Sequence, residues 1–173
     1  MTAIAGSVFT AAQFNTFIRD NLNECPASKA ASPSGYFVTS ATNQLVERVG
    51  ATASLNVPES TTSTTLTDLT TIGPSVTVTT GSSALIIITA EVSNNTASQA
   101  GRVGVDITGA TTEAPDGNHV LREETNGTAE FNRSSVVRLH TTLTPGANTF
   151  KLMYAATANT ASFNFRNIAV IPY

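Results

Sequence analysis

From Thr64 onward the sequence breaks into about eight strand-length runs, separated by Gly, Pro and Asn, and no helical period interrupts them. Without a helix to cover it, a sheet of this kind has to pack on another sheet. The runs are 64–71, 75–80, 83–93, 102–109, 119–124, 129–143, 148–156 and 162–172. Turn residues punctuate them at Gly73-Pro74, Gly81, Asn94-Asn95, Pro115-Asp116-Gly117, Asn126-Gly127 and Pro145-Gly146. The expectation is a mainly β protein, with an antiparallel two-sheet jelly-roll sandwich over 61–173. An immunoglobulin-like sandwich is the other solution, but the chain has no Trp and only one Cys, so the Cys…Trp…Cys signature is missing. Roughly one residue in six is Thr, which is β-branched and amphipathic and suits strands with wet outer faces.

The first 60 residues read differently and predict an N-terminal arm. Thr10 is a good N-cap, Gln13 completes a capping box, and Phe9 and Phe14 occupy the two places of a hydrophobic staple. Ala11, Phe14, Phe17, Ile18 and Leu22 then recur on one face, so one short amphipathic helix is expected over about 10–23, ending before Pro26. Residues 26–35 are small, polar and rich in Pro and Gly, as in a linker. YFVTS and QLVERV flank Ala41-Thr42-Asn43 and predict a small β-hairpin over about 36–49. Residues 50–63, with Pro58, read as a further connector. A helix this short is marginal in water on its own. Its face, with Phe9, Phe14, Phe17, Ile18 and Leu22, must dock either on its own domain or on a partner.

Charge narrows the classes of partner. Nine Lys and Arg against twelve Asp and Glu give a net −3, and the basic residues are scattered, which speaks against a nucleic-acid or membrane-surface partner. No apolar run has the length of a spanning helix, and Met1 to Phe9 carries no basic n-region of a secretion signal. Cys25, the single cysteine, excludes an internal disulfide, fits a reducing cytoplasm, and reads as a small filler beside the first helix.

No residues stand out as catalytic, cofactor-binding or metal-binding. His119 and His140 lack a second ligand at metal spacing, and no G-x-S-x-G elbow marks a nucleophile. Glu123 and Glu124 point to opposite faces of a strand and cannot work as a pair; His140 is expected on a polar face. Strand faces say more about assembly. Val103, Val105 and Ile107 alternate with Arg102, Gly104 and Asp106, so one face of that strand is wet. In contrast, residues 85–88 are apolar on both faces, and Phe163, Phe165, Ala169 and Ile171 alternate with Ile168 and Val170. These strands need cover on both sides. Leu85, Ile87, Ile168 and Val170 are the candidate oligomer contacts, unless a loop or the first helix covers them.

The stretch VFTAAQFNTFIRDNLNE, followed by PASKA and GYFVTSATNQLVER, resembles the opening of structural proteins encoded by tailed phages of actinobacteria. The match is carried by Thr10-Ala11-Ala12, Asn15, Arg19-Asp20-Asn21-Leu22, Lys29-Ala30 and Glu47-Arg48. The remainder, with LTPGANTFKLMYAA and ASFNFRNIAVIPY, is similar in layout to trimeric tumour-necrosis-factor-like jelly-roll knobs. The resemblance implies a non-enzymatic virion protein, made in the host cytoplasm without a signal peptide. Its expected form is a homotrimeric capsid decoration or head-fibre protein, anchored by its arm to the major capsid protein or another virion protein. A minor tail protein or tail-fibre knob that binds a host receptor or glycan is the alternative. The chain departs from long-fibre members in having no heptads or collagen-like repeats.

Overall fold

Along Ser75–Thr80, Val76, Val78 and Thr80 are buried while Ser75, Thr77 and Thr79 face out. A period of two does this wherever one face of a sheet is covered. The structure in which it is seen is a computed structural model describing residues 8, 10–23, 25–42, 44–116, 120–128 and 130–173. The chain divides into two compact units, Met1–Arg48 and Val49–Tyr173.

In the first unit Thr10 caps the helical run. Its hydroxyl accepts from the Gln13 N–H at 3.2 Å, and Gln13 Oε1 accepts from the Thr10 N–H at 3.0 Å, completing the expected box. The run comprises α1 (Ala11–Phe14), a π-helical turn (Asn15–Arg19) and α2 (Asp20–Asn23). The wider turn, in which the Asp20 N–H reaches back to the Asn15 carbonyl, is not visible in a 3.6-residue period. Pro26 opens a further helical turn, α3 (Pro26–Lys29). The expected hairpin follows as β1 (Tyr36–Ala41) and β2 (Gln44–Arg48). The stretch between is tied down as well. The Glu47 carboxylate accepts from the N–H groups of Ala31 and Ser32 at 2.8 and 2.9 Å, and Gly35 leaves the room that this carboxylate fills.

The second unit contains β3 (Ala51–Leu55), β4 (Glu59–Thr61), β5 (Ser75–Thr80), β6 (Ala84–Asn94), β7 (Gln99–Gly109), β8 (Leu121–Thr125), β9 (Asn132–His140), β10 (Gly146–Ala156) and β11 (Ala161–Pro172). Antiparallel pairing is nested: β3 with β11, β5 with β10, β6 with β9, and β7 with β8. This describes one long hairpin. Rolling it up sets β11 against β6 and β10 against β7, which gives the sheets β3-β11-β6-β9 and β5-β10-β7-β8, with β4 beside β11. A ribbon wrapped in this order is a jelly roll, as the sequence predicts. Phe150, Leu152, Tyr154, Val103 and Val105 of one sheet meet Ile86, Ile88, Val92, Phe163, Ile168 and Val170 of the other in a single core.

Three expectations need correction. Residues 50–63 are not a plain connector, since β3 and β4 lie in them and the second unit starts at Val49 instead of near residue 61. Residues 64–71 do not form the expected strand. Thr67 makes one isolated bridge to Tyr154, and Leu66 covers Gly104, where a Cβ would sit 2.6 Å from Leu66 Cδ1. The outer face of β7 is therefore partly covered, not simply wet, and Arg102 donates to the Thr64 carbonyl across it. Finally, β11 does not alternate uninterrupted. Asn164 pairs with Glu91 and Asn167 with Thr89, so Phe165 and Arg166 together oppose Ala90 in a β-bulge, with Phe165 at φ +45°.

The bulge sends Arg166 inward, where it is wholly buried. It donates to the Val57 carbonyl at 3.0 Å and the Glu59 carboxylate at 3.4 Å, and its guanidinium lies 5.3 Å from the centroid of Tyr154. Glu59 also accepts from the Thr71 hydroxyl at 2.6 Å and the Thr71 N–H at 3.0 Å. Tyr154 donates to the Gly73 carbonyl at 2.9 Å, and burial pushes its phenol far above the ordinary range, so it stays neutral. Burial also pushes the Glu59 carboxyl up, but the Thr71 hydrogen bonds and the Arg166 charge more than offset it, holding it below its ordinary 4.5.

Glu59→Ala leaves a buried guanidinium without its carboxylate and is expected to destabilise the fold by about 3 kcal/mol in urea titration, most of it recovered in Glu59→Ala with Arg166→Met. Because the folded-state Glu59 pKa is depressed, its contribution is present above the unfolded value of 4.5 and is lost as pH falls through the lower folded value. The urea midpoint of the parent chain should therefore drop more steeply below pH 4.5 than that of Glu59→Gln.

Candidate functional site

The outer face of the five-stranded sheet is set by strand register. Ile87 stands between Val137 on β9 and Ala169 on β11, and Leu85 stands between Leu139 and Ile171. These six side chains make two adjacent apolar rows. Leu85, Ile87, Ala169 and Ile171 are half-buried by their neighbours, whereas Val137 and Leu139 on the edge strand are 59% and 54% exposed. The two rows form one contiguous apolar strip that opens to solvent along the β9 edge.

Farther along the same strands the face turns polar and then aromatic. Thr89, Ser135 and Asn167 form the next row, with Thr89 and Ser135 sharing a hydroxyl hydrogen bond of 2.7 Å. Beyond it Glu91 stands between Arg133 and Asn164. Arg133 Nη2 lies 3.3 Å from Glu91 Oε2, and the guanidinium sits 3.9 Å from the centroid of Phe165, which the bulge turns outward. Phe131, just before β9, is largely exposed.

The sequence-predicted contacts divide. Leu85 and Ile87 lie on the outer face, but Ile168 and Val170 are wholly buried in the core. Their assignment to an oligomer surface is overturned because the bulge shifts the parity of β11, so that Ala169 and Ile171 face out in their place. Val137, Leu139 and Phe131 were missed, although the alternation of Val137 and Leu139 with Arg138 was open to reading. In the first unit Phe14, Ile18 and Leu22 are all exposed. Phe9 and the Phe17 side chain lie outside the described residues.

His140 is not on a polar face; it is buried at the end of β9, with Nε2 3.3 Å from Glu113 Oε2 and 3.2 Å from Thr142 Oγ1. The parity of β9 places it with Val136 and Arg138, facing inward. His119 lies outside the described residues. Glu123 accepts from Ser134 Oγ at 2.6 Å and Glu124 pairs with Arg122 at 3.0 Å on the opposite face, as strand alternation requires. Cys25 is exposed, so it is not a buried filler. Among the described residues no three His, Cys, Asp or Glu side chains cluster to hold a metal ion. No helix of the described residues is long and apolar enough to cross a membrane. No family model and no curated protein matches this sequence.

Proposed function

We propose that this chain is a non-enzymatic structural protein of a phage virion, a homotrimer of jelly-roll heads held on the particle by the N-terminal arm as a capsid decoration or head-fibre protein. The observation that carries the reading is the exposed apolar face of the capped helical run. Its start is fixed by a complete capping box, yet Phe14, Ile18 and Leu22 lie exposed. A helix this short gains most of its stability from packing, so a surface on another virion protein supplies the cover, the major capsid protein foremost. The resemblance of the Thr10–Leu22 and Lys29–Arg48 motifs to phage structural proteins supports the same assignment.

The trimer rests on the rows around Ile87 and Val137. Three copies closing around an axis bury them, and the three-fold positions of a shell match that symmetry. A tail location, as a minor tail protein or tail-fibre knob, is the second reading, favoured by the exposed rings of Phe131 and Phe165.

In the full chain, Phe14→Ser with Leu22→Ser should leave the thermal midpoint nearly unchanged while occupancy on purified particles falls by at least about tenfold, since each lost apolar contact is worth about 1.5–3 kcal/mol. Undiminished occupancy sinks the anchor. Ile87→Asp with Val137→Asp should convert a trimeric mass to a monomeric one by light scattering; a parent chain that is already monomeric at micromolar concentration sinks the trimer. Electron microscopy of intact particles separates shell from tail.

A further inference from the structure

At the aromatic end of the outer face lies a groove of about 280 Å³ lined by Pro58, Glu91, Phe131, Ser162, Phe163 and Asn164. Its polar groups are largely uncommitted. Asn164 Oδ1 is buried with no hydrogen-bond partner, and neither the Asn164 amide nor the Ser162 hydroxyl bonds to any described residue. Glu91 accepts one long hydrogen bond from Arg133 and retains further lone pairs. The bulge holds Phe165 in a left-handed conformation that bulky residues rarely adopt, with its ring outward under Arg133.

We infer that this groove binds a neutral saccharide. Phe131 offers an exposed ring to the C–H face of a pyranose, and Glu91, Ser162 and Asn164 offer acceptors and donors to its hydroxyls. Ser162 and Asn164 are two residues apart on the same face of β11, about 6.6 Å along the strand, which is roughly the span of one sugar ring. The charges of Glu91 and Arg133 cancel locally, so neither an anion nor a cation is favoured over a neutral polar ring. Six residues line the groove, far fewer than the roughly 20–30 that each partner gives to a stable protein interface. Turning the Asn164 amide toward the ligand relieves its unpartnered acceptor. The inference deepens the tail-knob reading and rests on it, but it uses none of the helix residues and none of the Leu85 and Ile87 rows, so failure of the anchor or of the trimer is distinguishable from failure of this site.

The test is saturation-transfer NMR of the full chain with methyl glucoside, methyl galactoside, methyl mannoside and N-acetylglucosamine, each at about 10 mM, above the millimolar affinity that one ring contact supports. At least one sugar should show transfer to its ring protons. Phe131→Ala should weaken it about tenfold, Phe131→Tyr should retain it, and Asn164→Ala should reduce it, all at unchanged thermal midpoint. No transfer from any of the four overturns the proposal, as does transfer that is equal in Phe131→Ala. If Phe131→Ala instead lowers the oligomeric mass, the groove is a contact between copies and the saccharide assignment fails.

Discussion

One buried charge organises the sandwich. Arg166 sits in β11, which is paired on both sides by β6 and by β3 and β4. The bulge that turns it inward fixes the parity of every residue after it. Strict alternation from Phe163 would bury Phe165, Asn167, Ala169 and Ile171; the bulge buries Arg166, Ile168, Val170 and Pro172 instead. An inward guanidinium is tolerable only with a carboxylate and hydrogen-bond acceptors at hand. Glu59 and the Val57 carbonyl provide them, and Glu59 in turn ties down Thr71. The segments least like regular strands, around β4 and 62–74, are thus held by the same charge that decides which side of β11 is core.

This explains what could and could not be read from the sequence. Clean alternation gave away β5 and β7, and Thr10 with Gln13 gave away the helix start, because each is a local pattern with a local cause. The bulge has no such pattern, since its signal is a pairing of Phe165 and Arg166 against Ala90 on another strand. Ile168 and Val170 were misassigned for that reason alone. β3 was overlooked because Ala51, Thr52, Ala53 and Ser54 alternate with small side chains that look like a linker, while its stability comes from pairing with β11. The stretch 64–71 fails in the opposite sense: its Thr-rich composition favours a strand, but the buried Leu69 and the cover that Leu66 gives Gly104 hold it in another path.

A chain with so few charges holds its loops with amides. Asn148, after the Pro145-Gly146 turn, accepts from the Thr111 N–H at 2.7 Å and donates to Thr80 Oγ1 at 2.8 Å and the Thr144 carbonyl at 3.0 Å. Asn94 does the same elsewhere in the sandwich, donating to the Ala158 carbonyl and accepting from the Thr96 N–H, both at 3.0 Å. Both are almost fully buried, so leaving any of these groups unpaired would be unfavourable, and each amide braces the segments it touches by hydrogen bonds. Asn94, which reads as a turn residue in one dimension, is like Asn148 an internal brace.

The two sheets differ in what covers their outer faces. On β5-β10-β7-β8 the chain seals its own surface: Leu66 lies over Gly104, Arg102 reaches the Thr64 carbonyl, and Lys151 pairs with Asp68 at 3.0 Å beside Asp106. On β3-β11-β6-β9 the rows of Leu85, Ile87, Val137, Leu139, Ala169 and Ile171 keep Val137 and Leu139 open. The hydroxyl row of Thr89 and Ser135 then separates this apolar end from Glu91, Arg133 and the two exposed Phe rings. Water tolerates the hydroxyl row, whereas burying the apolar rows gains about 25 cal/mol for every Å² of apolar surface removed from water. A surface graded this way along its strands is apolar at one end and polar and aromatic at the other. The residues separating the two are small and polar, so changes at either end should act with little coupling to the other.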